Sequence, residues 1–580
     1  MERGVVHACF EDGPTAVSGS ALKLPWLLSC DVSALRMTNV LGLFILASLA
    51  LLCRHQIESR FYEARFRDRL KTVSAYAVHT AFNIALFPVL FFFSGLYYTD
   101  VISTAIVVGA YLNHLKRIGT DTGSILSDLT TILLGLSALL MRQTNVFWIV
   151  VWIGGLEAVH AVKTLKPQRI GQPVTTSLLE QLRFFAWRYS IGDIHDVPLS
   201  LAWPDDMLFT AISLGIAALW NPLRILRQIW PYVCVLMAFA GFVVWNDGVV
   251  LGHFVGDKSN HVATIHLAQL LYIWPFFAFF SLPLLVPFAL SLFDIGTATE
   301  SAPKSRGEKT STMRSASSLG PSLPLKTMSQ LFGLRWLIWT VYTLAILVAS
   351  VAVVKYNTII HPFTLADNRH YVFYIFRYTI RRGPLARFLL ILPYTISRWM
   401  IWTAWVGSSS PTDSSAYTSH PLLIAKGTNR RKTDGAVHPK DKAPVAAVGQ
   451  QGDATVMSST EPVSTSTALI FLLATSLSLM TAPLVEPRYF IIPWVMWRLL
   501  VPAWILSTDG PLAEGRIGGT SFTGKMVAWG RRSDLRLVGE TLWFVAINAV
   551  TGYIFLMRPY VWRDENGQVL DEGRLQRFMW

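Results

Sequence analysis

Long apolar runs alternate with short polar clusters along most of the 580-residue chain. A helix that crosses a bilayer needs about 20 mostly apolar residues. By that measure the pattern predicts an all-α fold, a polytopic integral membrane protein with about twelve transmembrane helices. The predicted spans are residues 35–53, 76–97, 100–115, 125–141, 145–163, 230–252, 263–292, 333–356, 387–406, 467–484, 488–507 and 538–557.

Two apolar runs depart from a simple span. The run 263–292 is longer than a bilayer requires and contains Pro275, Pro283 and Pro287. Because proline removes a helical hydrogen bond, we expect this run to tilt or to break at these positions. The run Met207–Leu219 is too short to cross, so we expect it to lie in the interface or to re-enter.

Two stretches are rich in Ser, Thr, Pro, Lys and Gly and have few large apolar residues. Such segments bury too little surface to offset the entropy of ordering, so we expect them to be disordered insertions between spans. They divide the chain into an atypical N-terminal segment (1–34), a first helical bundle (35–292), an insertion (293–332), helices with a polar loop (333–406), an insertion (407–466) and C-terminal helices with a tail (467–580).

The basic residues predict the orientation of the chain in the membrane. Lys and Arg concentrate in the loops 54–71, 163–203, 293–332, 407–466 and 508–537, which alternation places on one side. The positive-inside rule makes that side cytosolic. The net charge of +14 is therefore explained by membrane orientation, and we expect no nucleic-acid partner.

The compact polar clusters then fall on the lumenal side, together with the N-terminal segment and the tail. They contain cations, carboxylates and aromatic residues: Lys258, His261, His361, Arg369, His370, Arg377 and Arg488; Asp100, Asp257, Asp367 and Glu486; Tyr97, Tyr98, Tyr371 and Tyr374. Ionisable groups at membrane depth are costly and usually functional. These residue types are the ones that sugar transfer from a lipid-linked sugar phosphate would need. Cations would stabilise the negative charge of the leaving phosphate, and a carboxylate would accept the proton of the attacking sugar hydroxyl.

Several of these residues also have a structural interpretation. Asp100 could cap the helix that follows it, and Arg142 could anchor the end of a span at the interface. Asp257 and Lys258 could belong to a solvated turn, and Arg377 could lie at the membrane interface with its charge in water. The four cysteines have neither CxxC nor metal-site spacing, and no Rossmann or DxD motif is evident. We therefore expect no metal and no cofactor.

Seven stretches of the chain resemble one family, the dolichyl-phosphate-glucose α-1,2-glucosyltransferases, which add the third and last glucose to the lipid-linked N-glycan precursor. They occur in order and are FFSGLYYTD (92–100), RQTN (142–145), GDKSNH (256–261), HLAQLLY (266–272), LADNRHY (365–371), EPRYF (486–490) and LQRFMW (575–580). The resemblance covers most of the chain outside the two insertions.

This resemblance implies a GT-C-like enzyme of the endoplasmic reticulum membrane with its active face in the lumen. It implies dolichyl phosphate glucose as donor, dolichyl-diphosphate-linked diglucosylated oligosaccharide as acceptor, and inversion at the transferred sugar. Within it we expect Arg369 and His370 to bind the donor phosphate and Asp367 to help with positioning or proton transfer. We expect further substrate contacts from Tyr98, Asp100, Arg142, Asp257, Lys258, His261, Tyr371 and Arg488.

The N-terminal segment departs from the family pattern. The family begins with an earlier span and a lumenal loop that carries Met-Asp-Glu, where the catalytic carboxylate is expected. No such stretch precedes Leu35, and Glu11 and Asp12 lie in a different context. The catalytic base is therefore unassigned. We expect the chain to be a shortened or misjoined version of a longer protein rather than an inactive homologue.

Two other classes of protein also fit a polytopic chain. A transporter or flippase would line a path with intramembrane polar residues, and a non-catalytic subunit would bind dolichyl lipids. The polar clusters gather at one face rather than at the midplane, which favours the enzyme.

Overall fold

The computed structural model describes residues 32–66, 70, 72–119, 124–165, 177–246, 248–249, 265–294, 325–359, 369–406, 456–482, 484–506, 534–561, 568–569 and 571–580. This part of the chain is mostly helical, which confirms the predicted helical character.

The first half of the described chain consists mainly of helices. They are α1 (Val32–Phe66), α2 (Ala75–Leu86), α3 (Pro88–Ser94), α4 (Asp100–Gly119), α5 (Ile125–Met141), α6 (Gly154–Lys163), α7 (Leu178–Ser190), α8 (Pro204–Trp220), α9 (Pro222–Asn246), α10 (Gln269–Phe280) and α11 (Leu282–Asp294). A π-helical segment, Phe147–Ile153, leads directly into α6.

The second half adds helices and two small antiparallel ladders. Its elements are α12 (Leu325–Tyr356), α13 (Tyr371–Tyr378), α14 (Pro384–Leu389), α15 (Ile391–Val406), β1 (Val456–Ser458), α16 (Thr465–Met480), α17 (Ile491–Leu500), β2 (Trp504–Leu506), α18 (Leu535–Met557), β3 (Tyr560–Val561) and β4 (Leu575–Gln576). Strand β1 pairs with β2, and β3 pairs with β4.

Four helical segments are long and apolar enough to cross a membrane: Val32–Ala64, Pro222–Asn246, Trp336–Tyr356 and Leu535–Met557. The pairs α2–α3 and α10–α11 pass the same test when each is taken as one bent span, which gives up to 6 spans among the described residues. The structure thus supports a membrane protein, whereas the predicted number of about twelve spans is not confirmed.

Proline explains both bends. Phe87 has φ −50° and ψ 120°, outside the helical region, because the ring of Pro88 disfavours a helical residue before it; α2 and α3 meet there at 62°. Helices α10 and α11 meet at 90° next to Pro283. Of the three prolines predicted to break this run, Pro275 and Pro287 lie inside helices instead.

Residues 456–466, which the sequence assigns to the second insertion, are ordered by long-range contacts. Strand β1 places Met457 opposite Ile505. The main-chain N–H of Thr465, at the start of α16, donates to Val197 O at 3.0 Å. These partners are distant in sequence, so local composition does not reveal them. Residues 407–455 lie outside the described part of the chain.

The two ends of the bundle are defined by α1. At its start, Asn39 Nδ2 donates two hydrogen bonds, of 2.6 and 2.7 Å, to the main chain just before Asp100. Toward its other end, Arg54 donates to the main-chain oxygens of Leu499 and Val501 at the C-terminus of α17, at 3.0 and 2.8 Å. We call these the Asp100 end and the Arg54 end. Lys116 and Arg117 terminate α4 at the Arg54 end, opposite to Asp100.

Aromatic rings fill the centre of the bundle. Phe87 stacks on Trp494 with ring centroids 3.9 Å apart and planes 8° apart. Phe280 and Phe544 pack edge-on against Phe87 at 5.1 and 6.1 Å. Because lipid is as apolar as these side chains, such packing stabilises the bundle mainly through dispersion. It joins α10, α17 and α18 to the bend between α2 and α3.

Buried charged side chains stabilise and connect the helices on the Arg54 side. Arg54 lies 2.9 Å from Glu58 and also donates to Ser459 Oγ at 2.7 Å. Arg498 of α17 donates to both carboxylate oxygens of Glu540 of α18, at 2.8 and 2.6 Å. Arg498 is 1% exposed and Glu540 is fully buried. If either side chain were removed, water could not solvate the charge of the other.

We expect the variant Glu540→Ala to lose folded protein, because it leaves the Arg498 guanidinium buried without its charge partner at a cost of about 3–5 kcal/mol. The double variant Arg498→Met with Glu540→Gln should recover much of that stability. The exposed pair Arg574–Glu572 provides the control variant Glu572→Ala, with a melting temperature close to wild type in detergent. Equal melting temperatures for Glu540→Ala and the control would contradict this account.

Candidate functional site

Four of the predicted substrate-binding residues come together at the Asp100 end. Arg142, at the C-terminus of α5, places Nη2 2.8 Å from Asp100 Oδ1 and 2.9 Å from Oδ2. Arg488, just before α17, forms an ion pair with Glu486. The Arg488 guanidinium carbon lies 6.0 Å from the centroid of the Tyr98 ring. Three loops that are distant in sequence therefore meet in one site.

Tyr489 completes this group, which we call the Asp100 cluster (Tyr98, Asp100, Arg142, Glu486, Arg488 and Tyr489). The guanidinium carbons of Arg142 and Arg488 lie 5.9 and 5.7 Å from the Tyr489 ring centroid, within the range of a cation–π contact. Two guanidinium groups thus face two carboxylates and share one aromatic ring. Balanced charges of this kind are what partial burial requires.

The structural interpretations of Asp100 and Arg142 are supported in part. Asp100 is the first residue of α4, where a carboxylate interacts favourably with the positive end of the helix dipole. The residue is 3% exposed, and its carboxylate binds Arg142 at the end of α5. The pair therefore joins two helices, in addition to any contact it makes with a substrate.

Two asparagines that were not among the predicted site residues hold the loops of the Asp100 cluster. Asn39 anchors the loop before Asp100, as described above. Asn145 Nδ2 donates to Ser103 Oγ and to Ala138 O, both at 2.8 Å, and so fixes the loop after Arg142. Both asparagines are buried, and a polar residue inside or beside an apolar run was the available signal.

Arg369, His370 and Tyr371 form a second group, which contacts the tail of the chain. Arg369 Nη1 donates to Gln576 Oε1 at 3.0 Å, and His370 Nδ1 lies 2.9 Å from the main-chain oxygen of Trp580. We call these five residues the Arg369 cluster. Arg577 of the tail binds the main chain at the C-terminus of α18. There, Phe555 of α18 packs against Phe92 of α3, which lies just before the Asp100 end. The Arg369 cluster therefore lies toward the Asp100 end.

Tyr371 supplies an aromatic face and a hydroxyl to the Arg369 cluster. Its ring centroid lies 5.0 Å from that of Trp580 in an edge-to-face arrangement. Burial raises the pKa of the Tyr371 phenol above its usual value, so the phenol stays protonated at neutral pH. In that form it is both a donor and an acceptor of hydrogen bonds.

Two polar residues of the HLAQLLY stretch hold the segment that leads into the Asp100 cluster. The main-chain N–H of His266 donates to Met480 O at 3.0 Å. Gln269 Nε2 donates to Ala482 O at 2.7 Å and to Leu484 O at 3.1 Å. The side chains of His266 and Gln269 are fully buried at the start of α10, and they position the chain ahead of Glu486.

The other predicted site residues lie outside the described residues. They are Asp257, Lys258, His261 and the candidate catalytic residue Asp367. The structure therefore places Tyr98, Asp100, Arg142 and Arg488 in one cluster and Arg369, His370 and Tyr371 in another. Within the described ranges, no group of three or more His, Cys, Asp or Glu side chains is arranged to hold a metal ion.

Comparisons with known proteins agree with the resemblance seen in the motifs. Residues 15–499 match the DIE2/ALG10 family. The chain is 54% identical to a Gibberella zeae protein, over 95% of this chain and 82% of that protein. It is 43% identical to a Neurospora crassa protein, over 96% and 86% of the two chains, and 26% identical to a Mus musculus protein, over 96% and 83%.

All three relatives carry the name Dol-P-Glc:Glc(2)Man(9)GlcNAc(2)-PP-Dol alpha-1,2-glucosyltransferase. No solved structure matches the chain. The family match covers more than half of the chain and the first two relatives exceed 40% identity over nearly all of it, so the resemblance is confirmed. The chain belongs to the DIE2/ALG10 family.

Proposed function

We propose that this protein transfers the third, terminal glucose in α-1,2 linkage from dolichyl phosphate glucose to the diglucosylated dolichyl-diphosphate oligosaccharide. The observation that carries the proposal is the identity of 54% over 95% of the chain to a relative named for this reaction. A further relative with the same name, from Pyricularia oryzae, is 46% identical over 94% of the chain. These names favour a glycosyltransferase over a transporter or a non-catalytic lipid-binding protein.

The reaction inverts the β linkage of the donor in a single displacement. A hydroxyl of the acceptor glucose attacks the anomeric carbon while the bond from that carbon to the phosphate oxygen breaks. The hydroxyl proton passes to a general base, and dolichyl phosphate leaves with the bonding electron pair. The protein must therefore stabilise negative charge on the phosphate and accept one proton.

The Arg369 cluster suits the first of these tasks. Arg369 presents a guanidinium, whose planar donors match phosphate oxygens, and His370 adds a nitrogen donor beside it. The neighbouring Tyr371 offers a ring and a hydroxyl for the sugar. Asp367 precedes this group by two residues in the sequence and remains our candidate for positioning or proton transfer.

The Asp100 cluster is the second proposed contact region. Tyr98 contributes an aromatic ring, and Arg142 and Arg488 contribute cations that already have carboxylate partners. An anionic substrate group would share these guanidinium groups with Asp100 and Glu486 rather than meet unpaired charges. This arrangement suits the oligosaccharide hydroxyls, which accept and donate hydrogen bonds without a net charge.

We also propose a multi-pass protein of the endoplasmic reticulum membrane with a GT-C-like fold and its active face in the lumen. The relatives' names describe a reaction on dolichol-linked substrates, which supports this location. Both clusters lie at the Asp100 end, whereas α4 ends in Lys116 and Arg117 at the other. Basic residues favour the cytosolic side, so the Asp100 end is lumenal.

Expression of the 580-residue chain in cells that lack the third-glucose transferase tests the proposed function. We expect two-glucose lipid-linked oligosaccharide to be converted to the three-glucose species, as measured by chromatography of the released glycans. Vector alone is the control. Correctly inserted protein that leaves the two-glucose species unchanged, also after an upstream span and an acidic first loop from a relative are added, would contradict the proposal.

The variant Arg369→Gln should reduce glucose transfer about 10²-fold, because it removes the positive donor that we assign to the leaving phosphate. Arg558→Gln is the matched control, since Arg558 is exposed at the end of α18. Transfer rates of the purified variants at saturating acceptor measure the effect. Equal rates for Arg369→Gln and Arg558→Gln would show that Arg369 does not serve the reaction.

A double substitution separates the two roles of the Asp100–Arg142 pair. Removing one partner leaves the other charge unpaired, so Arg142→Leu alone should destabilise the protein by several kcal/mol. The combined variant Asp100→Leu with Arg142→Leu should regain stability and still transfer glucose at least about tenfold more slowly, since substrate contacts are lost. A stable double variant with wild-type transfer would assign this pair to the fold alone.

A further inference from the structure

The tail segment (residues 575–580) adds a strand-like partner to the start of the Arg369 cluster. The N–H of Met579 donates to Arg369 O at 2.9 Å, and the N–H of Tyr371 donates to Met579 O at 3.1 Å. These two bonds form a parallel bridge between His370 and Met579. The backbone of residues 369–371 is thus held by a segment more than two hundred positions away in the sequence.

Two side-chain contacts extend this bridge to the functional groups. Gln576 Oε1 accepts from Arg369 Nη1 at 3.0 Å. The main-chain oxygen of Trp580 lies 2.9 Å from His370 Nδ1, and an oxygen of that kind only accepts. His370 Nδ1 therefore carries a hydrogen, and this bond fixes the orientation of the ring and the direction of Nε2.

The tail segment is itself fixed at several points. Leu575 and Gln576 form β4, which pairs with β3 directly after α18. Arg577 Nη1 donates to the main-chain oxygens of Phe555 and Leu556, at 2.7 and 3.0 Å, and so caps the C-terminus of α18. The Phe578 ring lies 4.6 Å from that of Tyr560. The segment is thus a rigid support rather than a loose end.

Two polar atoms, one in the tail segment and one in the residues that it supports, point to a ligand with hydrogen-bonding groups. The hydroxyl of Tyr371 and Nε1 of Trp580 are buried and have no hydrogen-bond partner among the residues that the structure describes. Their rings are in contact at 5.0 Å, beside Arg369 and His370. Buried donors are costly to leave unpaired, and phosphate oxygens or sugar hydroxyls would satisfy them.

We propose that the tail segment is a positioning element of the donor site, in which Gln576 orients the Arg369 guanidinium and Trp580 orients His370 toward the donor phosphate. The inference rests on the proposed function and deepens it. Gln576 and Trp580 act through other residues, so they are positioning residues rather than catalytic ones.

The chemical type of Gln576 matters for this task. An amide oxygen accepts a hydrogen bond from the guanidinium without adding a negative charge of its own. A carboxylate at the same place would bind the guanidinium more strongly and would compete with the phosphate of the donor. The neutral partner thus orients the Arg369 side chain without itself competing with the phosphate.

The variant Gln576→Glu tests the proposal in the purified full-length chain. We expect the KM for dolichyl phosphate glucose to rise at least about tenfold, because a competing carboxylate weakens a charged hydrogen bond. The KM for the acceptor and the melting temperature should stay close to wild type. Gln568→Glu, which adds the same charge at an exposed position of the same C-terminal region, is the matched control.

A second variant, Gln576→Met, keeps the approximate volume and removes the acceptor. It should raise the donor KM by a smaller factor, and its effect should be insensitive to salt, whereas that of Gln576→Glu should shrink at high salt. An unchanged donor KM in both folded variants would overturn the inference. Failure of the wild-type chain to transfer glucose at all would instead count against the proposed function.

Discussion

Charged side chains buried inside an apolar helical bundle need partners that neither lipid nor water supplies, and this constraint shapes the whole molecule. Arg498 and Glu540 join α17 to α18, and Arg54 reaches the main chain at the C-terminus of α17. At the opposite end, Arg142 joins the end of α5 to Asp100. Each pair connects helices that the apolar surface alone would allow to slide.

The same constraint brings the candidate site together. The loops that carry Tyr98, Arg142 and Arg488 are short, and buried asparagines and ion pairs hold them in contact. The Arg369 cluster is held in a different way, by main-chain hydrogen bonds to the tail segment. A glycosyl transfer that depends on charge stabilisation needs groups fixed before the substrate arrives, and both arrangements provide this.

Much of the helical pattern was predictable from the sequence, because apolar runs of sufficient length have few alternatives in a membrane protein. The predicted span 125–141 coincides with α5, and the break near Pro283 was expected. The number of spans was less accessible, since several of the observed helices are short and length alone does not show that they cross. Helix α7 lies in a loop for which no helix was predicted.

The composition of the site was more accessible from the sequence than its geometry. Motif resemblance identified Asp100, Arg142 and Arg488, but only the folded chain shows that the first two form a pair and that the third binds Glu486. The contacts of Asn39 and Gln576 depend on partners far away in the chain, so no local pattern reveals them. The roles of Asp257, Lys258, His261 and Asp367 remain predictions, and the catalytic base stays unassigned.

The most direct test of the account is transfer by the purified chain, reconstituted with dolichyl phosphate [³H]glucose and the two-glucose lipid-linked oligosaccharide. We predict a labelled three-glucose product whose new glucose is released by an α-1,2-specific glucosidase, which establishes both the donor and the linkage. Folded protein that forms no labelled product, or that forms one resistant to this glucosidase, would contradict the assignment.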